Sequence, residues 1–293
     1  MTDLFSVLIA NHNRAKFLKE CIDSVLKQTY TNWEVIFVDD CSTDDSVKIF
    51  KELTKNDTRF KLFINEKNSG CGFTKKACID KANGKICGFL DSDDVITPDA
   101  IELMMNVHTT HPEVSIIGSR RIYCDENLKI YDVEPPISEA AKKFKSQLDN
   151  PFFINHFVTF KIEAYKKSPG QDPFLKKAVD QDLYYKLEEQ GKVAFIDKPL
   201  YYYRHSSASI SLFDNNYKAE AWHLIVIFET CKRRGLNFDD YCGLMKKTKS
   251  RKEKLINLIF APYQITKEKV KAARNKNRFS KEIKLVSPEV IIP

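Results

Sequence analysis

The chain has 293 residues, is 43% hydrophobic and 30% charged, and carries a formal net charge of +7. That composition suits a globular protein with one large α/β domain, or a medium domain with an appendage, and it excludes pervasive disorder, collagen and coiled coil. No apolar run reaches the roughly 18 residues of a membrane span, and Met1-Thr2-Asp3-Leu4 lacks the basic start and long apolar stretch of a signal peptide.

The charge is unevenly placed. Residues 243–293 hold 14 Lys and Arg against 4 Asp and Glu, so the rest of the chain is slightly acidic. A basic tail of this kind points to an anionic surface. The 8 cysteines include no Cys-x-x-Cys and no zinc-finger spacing, and Cys21 and Cys87 sit in apolar contexts. They read as reduced thiols serving as small core residues.

In chain order, Phe5–Ile9 is an apolar strand that ends at a loop, Asn11-His-Asn13. Phe17, Leu18, Cys21, Ile22, Val25 and Leu26 then recur at helical spacing. Trp33–Val38 is a second strand running into Asp39-Asp40, and Ser42-Thr-Asp-Asp45 reads as a capping box for the next helix. Phe60–Ile64 is a third strand, Asn68-Ser-Gly70 a turn, and 73–83 a helix closed by Gly84. Ile86–Leu90 is a fourth strand ending at Asp91-Ser-Asp-Asp94, after which Thr97-Pro98 opens a helix to about His108. Val114–Ile117 and Phe157–Lys161 read as strands, with a loop or linker over 125–150 between them. Asp180–Glu189 reads as a helix, Leu200–Arg204 as an aromatic strand, and Asn216 to about 260 as helical.

Four strand–helix units in the first hundred residues imply a parallel sheet with helices on both faces. Ligands of such sheets bind beyond the carboxyl ends of the strands. Asn11, Asp39-Asp40 and Asp91–Asp94 all fall there. Two acidic clusters on one edge point to a charged ligand handled through a metal or through donor groups. Carboxylates are hard oxygen ligands suited to Mg²⁺ or Mn²⁺. Neither a P-loop nor a Gly-x-Gly-x-x-Gly fingerprint is present.

Five segments then occur in a fixed order: Ser6-Val-Leu-Ile-Ala-Asn-His-Asn-Arg14, Ser24-Val-Leu-Lys-Gln-Thr-Tyr30, Val38-Asp-Asp-Cys-Ser-Thr-Asp44, Asn68-x-Gly70 and Leu90-Asp-Ser-Asp-Asp94. The series resembles the family-2 glycosyltransferases, nucleotide-sugar enzymes of the GT-A fold. It is close over residues 5 to about 105 and resumes at Asp180–Leu187, Gly191 and Pro199–His205. The resemblance implies an α/β fold with a mostly parallel GT-A-type sheet flanked by helices. It implies a nucleotide-sugar half over 1–105, an acceptor and catalytic-base half over 106–212, and a basic helical extension over 213–293. Ala10, Asn11, Asp39 and Asp40 would hold the nucleotide, a carboxylate accepting the uracil N3–H and so favouring UDP. Lys75 and Arg204 would lie near the diphosphate and Asp91 at the ribose. Mn²⁺ or Mg²⁺ would be held by Asp93, with Asp94 joining it, and with His205 either completing the shell or standing as a loop His at the end of an edge strand. Family members are inverting, so Asp180 would take the proton of the acceptor hydroxyl. Its alternative is a helix cap, and Asp182 reads as an acceptor contact or a structural residue. Ala10, Cys41, Lys75 and Val179 stand where the family often has Pro, Gly, Arg and Glu.

Lys246–Lys254 followed by Leu255–Phe260 resembles an interfacial helix. Many family members build lipid-linked or envelope glycans at the cytoplasmic face of a bacterial membrane. The expected partners are a UDP-sugar, a glycan or lipid-linked saccharide acceptor, and an anionic membrane met through residues 246–284. The expected location is the cytoplasm, at the inner face of the cytoplasmic membrane. Nucleic acid is not expected, because the acidic strand ends would repel it. Two rivals remain. A nucleotidyltransferase of similar fold needs a Gly-rich phosphate loop, and Ala10–Arg14 contains no Gly. A non-enzymatic glycan-binding protein has no need of two acidic clusters.

Overall fold

The computed structural model describes residues 3–138, 146–149, 154–205, 216–242 and 289–292. The first half is the expected alternation: β1 (Phe5–Asn11), α1 (Leu18–Leu26), β2 (Trp33–Asp39), α2 (Ser46–Thr54), β3 (Phe60–Ile64), α3 (Cys71–Asp80) and β4 (Ile86–Phe89). There follow β5 (Val95–Ile96), α4 (Ala100–Thr110), β6 (Val114–Cys124), β7 (Ile130–Val133), β8 (His156–Lys161) and α5 (Ile162–Lys167). The described chain ends with α6 (Val179–Glu188), β9 (Lys192–Arg204), α7 (Asn216–Arg234), α8 (Asp239–Cys242) and β10 (Val290–Ile291).

One sheet runs through both halves in the order β10-β9-β6-β8-β4-β1-β2-β3. The pairings β3-β2-β1-β4 are parallel, as the strand–helix alternation requires. Beyond β4 the sheet is mixed: β8 pairs antiparallel with both β4 and β6, and β6 pairs parallel with β9. The α/β class stands, with the sheet all parallel across β3-β2-β1-β4 and mixed beyond it. Period-two alternation sorts the strands between two cores. Phe5, Val7, Ile9, Val35 and Phe37 face α1, α2 and α4, while Leu8, Ile36 and Val38 face α3 and α6. A third cluster joins α6 to α7 through Tyr185, Val226, Ile227 and Cys231.

Several local readings change. Residues 130–133, expected within a loop, form β7 against β6. The strand begun at Val114 continues to Cys124, carrying a buried Arg120 whose Nε donates to the Glu134 carbonyl at 2.8 Å. The capping box does not form: Ser42 Oγ donates to Asp39 at 2.6 Å, and Asp45 occupies the N-cap of α2 without a side-chain bond. The helix after Thr97-Pro98 starts at Ala100 with Asp99 at its N-cap. The long C-terminal helix stops at Arg234, before Gly235 at φ 65°. The basic stretch 246–284 lies outside the described residues. Cys21, Cys78, Cys87, Cys124 and Cys231 are buried free thiols, and burial pushes Cys87 and Cys124 up to about 12.

Candidate active site

The carboxyl ends of β1, β2 and β4, with the start of α6, enclose a cleft of about 410 Å³. One wall is built from uncharged donors. Asn11 Nδ2 donates to Asp39 at 2.8 Å, and Asp39 also accepts the Ser42 amide at 2.8 Å and the Ser42 hydroxyl. Asp39 is thereby spent on tying the β1 and β2 loops together. The next residue turns the other way. Cys41 adopts φ 57°, the left-handed region where glycine is more at home. Asp40 reaches the cleft and accepts from Asn65 Nδ2, the Ser69 amide and the Gly70 amide, each at 2.8 Å. Gly70, at φ 90°, supplies its N–H from a backbone shape that side chains disfavour. His12 Nδ1 lies 2.9 Å from the Asp40 carbonyl, which can only accept, so Nδ1 carries the hydrogen. Its Nε2 lies 3.1 Å from Asn68 Nδ2.

The opposite wall is built from charges. Arg14 Nε pairs with Asp93 at 3.0 Å. Asp94 accepts the Arg204 amide at 2.7 Å, and Arg204 Nε donates to the Asp93 carbonyl at 2.6 Å. Lys75 Nζ lies 2.6 Å from Asp180 and 3.4 Å from Asp91, with the Phe89 ring 4.9 Å beneath it. Burial would lower the Lys75 pKa, but the carboxylates of Asp180 and Asp91 outweigh it and hold the ammonium well above its ordinary value. Burial alone would raise Asp91, but Lys75, together with His156 and Arg14, more than reverses that. Burial and the neighbouring Asp91 charge raise Asp93, and burial with both neighbours raises Asp94 well above the carboxylate range. This loop is therefore short of positive charge, which is the donor chemistry a divalent cation satisfies. Among the described residues no three His, Cys, Asp or Glu side chains form a complete ligand set. Asp91 and Asp93 would supply two oxygen ligands to such a cation, and Mg²⁺ commonly takes its remaining ligands from phosphate and water.

Of the residues expected from sequence, Ala10, Asn11, Asp40, Lys75, Asp91, Asp93, Asp94, Asp180 and Arg204 all line this cleft. Asp39 and His205 do not. Asp39 lies fully buried beneath it. His205 packs among Tyr123, Tyr131 and Tyr203, its Nδ1 against the Tyr131 hydroxyl, and burial lowers its pKa. Lys75 was expected at the diphosphate; its closest partner is Asp180. The helix-cap alternative for Asp180 fails, because α6 has no side-chain cap and begins after Ala178 in the left-handed region at φ 54°. Asp182 is buried and paired with Lys186 at 2.6 Å, which makes it structural. Among the lining residues given no role from sequence are three cations, Arg14, Lys176 and Lys177. Arg14 follows directly on the β1 loop, and the two lysines immediately precede the α6 start, so adjacency was the available signal.

The two halves meet closely at Gly72 on α3. A Cβ there would stand 2.8 Å from the carbonyl oxygens of Asp172 and Leu175 and 3.1 Å from that of Pro173. Only a residue without a side chain lets the segment before Asp180 approach the helix that carries Lys75.

The fold and cleft are those of a glycosyltransferase. Residues 6–168 match the profile of glycosyl transferase family 2, and the chain belongs to that family. It is 31% identical over 251 residues to the chondroitin synthase of Escherichia coli, covering 85% of this chain and 36% of that one. It is 30% identical over 230 residues to the glycosyltransferase GlyG of Streptococcus pneumoniae, covering 72% and 73%. The chain thus spans about a third of the synthase's length. Among solved structures, S. aureus TarS 1–349 in complex with UDP-GlcNAc matches with a TM-score of 0.61 at 21% identity, covering 77% of this chain and 66% of that one, a likeness of fold. Among the described residues no helix is long and apolar enough to cross a membrane.

Proposed function

We propose that the protein is an inverting UDP-sugar transferase that extends a glycan or a lipid-linked saccharide in polysaccharide assembly. The observation that carries this reading is Lys75: one ammonium joins Asp180 to Asp91, so the carboxylate at the α6 start and the carboxylate loop after β4 face the same small volume. A sugar whose diphosphate sits over Asp91 and Asp93 would present its anomeric carbon towards Asp180. There Asp180 removes the proton of the acceptor hydroxyl. The acceptor oxygen forms the new bond to the anomeric carbon, and the old bond to UDP breaks with its electron pair leaving on the diphosphate. Asp40 and the loop from Ala10 to His12 hold the uracil. Asp91 and Asp93 would hold Mn²⁺ or Mg²⁺, which when bound offsets the charge growing on the departing UDP. The UDP and UDP-GlcNAc complexes of TarS and the synthases among the relatives support the choice of UDP and of a polysaccharide product.

The test is a hydrolysis screen of UDP-, GDP- and CDP-sugars, with calorimetry of the three diphosphates. UDP should bind most tightly and one UDP-sugar should be turned over; GDP ranked above UDP would overturn the reading. The tail adds a second arm. Residues 246–284 would attach the enzyme to anionic membrane, through basic charge and the apolar Leu255–Phe260 patch. Replacing Lys246, Lys247, Lys249, Lys252 and Lys254 by Gln should weaken binding to phosphatidylglycerol vesicles, and high salt should do the same to the unaltered chain. Unchanged binding would remove the membrane role.

A further inference from the structure

We infer that Lys75 serves the catalytic base and not the diphosphate: it is the positioning residue that fixes Asp180 and ties it to the donor carboxylate Asp91. This inference rests on the role of Asp180 given above. Three observations carry it. The ammonium is 2.6 Å from Asp180, a short charge-assisted bond, and 3.4 Å from Asp91. Its side chain is only 5% exposed, whereas those of Asp180 and Asp91 are 32% and 34% exposed. The lysine therefore sits behind the two carboxylates and presents them to the cleft. Below it, the Phe89 ring closes the remaining side.

Lys75 is the buried cation that bonds Asp180. Asp180 stands at the second position of α6, a helix entered through the left-handed Ala178 and lacking a side-chain cap. A carboxylate on such a helix start can rotate. One bonded to a buried ammonium on the opposite half of the fold cannot, and its free oxygen is left to accept a proton. The shared ammonium also couples the two ends of the reaction: Asp91 and Asp180 keep their separation because both answer to one nitrogen. Small misplacements of a reacting group cost on the order of 10² in rate, and Lys75 is the group that prevents one here.

Lys75→Met keeps the length and apolar stem, removes the charge, and places sulfur over Phe89. Kinetics use hydrolysis of the UDP-sugar that the screen selects, water taking the acceptor's place, and calorimetry uses UDP. The expected result is a kcat lowered about 10- to 100-fold, with KM and UDP affinity within about threefold of the unaltered protein. Lys75→Arg should recover most of kcat, since it restores a cation between the carboxylates. In an Asp180→Asn background, Lys75→Met should cost less than about threefold more, because a positioning residue has nothing left to position. Equal losses in both backgrounds would overturn the inference, as would a tenfold fall in UDP affinity, which returns Lys75 to the diphosphate. An Asp180→Asn variant with near-normal kcat would instead overturn the base assignment itself. Circular dichroism of each variant separates these outcomes from misfolding.

Discussion

The two walls of the cleft solve different problems with different chemistry. Among the described residues every partner of the Asp40 carboxylate is uncharged: two backbone amides and an Asn. Around Asp91, Asp93 and Asp180 the side-chain contacts run through two cations, Arg14 and Lys75, while Asp94 accepts the backbone amide of Arg204. Uncharged donors hold a carboxylate at a fixed angle without cancelling its charge, which suits reading a flat, hydrogen-bonding base. Ion pairs hold carboxylates while offsetting part of their charge, which suits the diphosphate-handling role proposed above. In the proposed function, recognition and chemistry are thus assigned to different walls.

The sharpest way to break that comparison is to strike the charged wall at its base. Asp180→Asn should lower kcat by on the order of 10² to 10⁴, leave UDP affinity within a factor of a few, and the unaltered enzyme should yield product of opposite anomeric configuration to the donor. Transfer kinetics and NMR of the linkage measure this; a retained configuration would end the single-displacement scheme. Asp93→Ala comes next. UDP affinity in Mn²⁺ should fall roughly 10- to 100-fold, towards its value in chelator, while the variant stays folded by circular dichroism. Full activity of the unaltered chain in excess EDTA would remove the metal from the scheme. Asp40→Ala should weaken UDP by about 1–3 kcal/mol, and calorimetry at two salt concentrations should show that loss unchanged. UDP binding governed by the charged wall should weaken as salt rises.

The smallest effect lies outside the cleft. His108 is buried between α4 and β8, its Nε2 3.0 Å from Thr159 Oγ1, and burial pushes it down from 6.5 to about 3. Above pH 6.5 both folded and unfolded chains carry it neutral. Between 6.5 and about 3 the unfolded chain binds a proton that the folded chain refuses, so stability falls as pH drops, by about 1.4 kcal/mol per unit. Urea unfolding at pH 7, 6 and 5 should show this slope, and His108→Gln should flatten it. An unchanged slope would mean that the acid sensitivity comes from other groups.

Much of the donor side was legible because it is local. An apolar run ending in Asp-Asp or Asp-Ser-Asp-Asp declares both a strand and what stands at its end. What the pattern could not do was separate Asp39 from Asp40. They are adjacent and identical, and only the Asn11 and Ser42 contacts, with the left-handed turn at Cys41, send one inward and the other to the cleft. Ser42 escaped the capping box for the same reason: a buried carboxylate three residues back was the stronger partner. β7 was missed because its four residues include an exposed Asp132 and precede Pro135-Pro136, which mask a strand of that length. Lys75 with Asp180 and Arg14 with Asp93 join residues 105 and 79 positions apart, beyond the reach of any periodicity.

The contact at Gly72 bears on how such an enzyme can diversify. Helix α3 touches the segment 172–175 through that segment's carbonyl oxygens, and Phe174 stands 85% exposed on the outer side. The backbone path of the segment is therefore held against α3, while the side chains it turns outward, Phe174 among them, are not. A lineage can exchange those side chains, and with them the surface offered beside the cleft, without shifting the start of α6. Variation in what the rim presents is thereby uncoupled from the placement of Asp180.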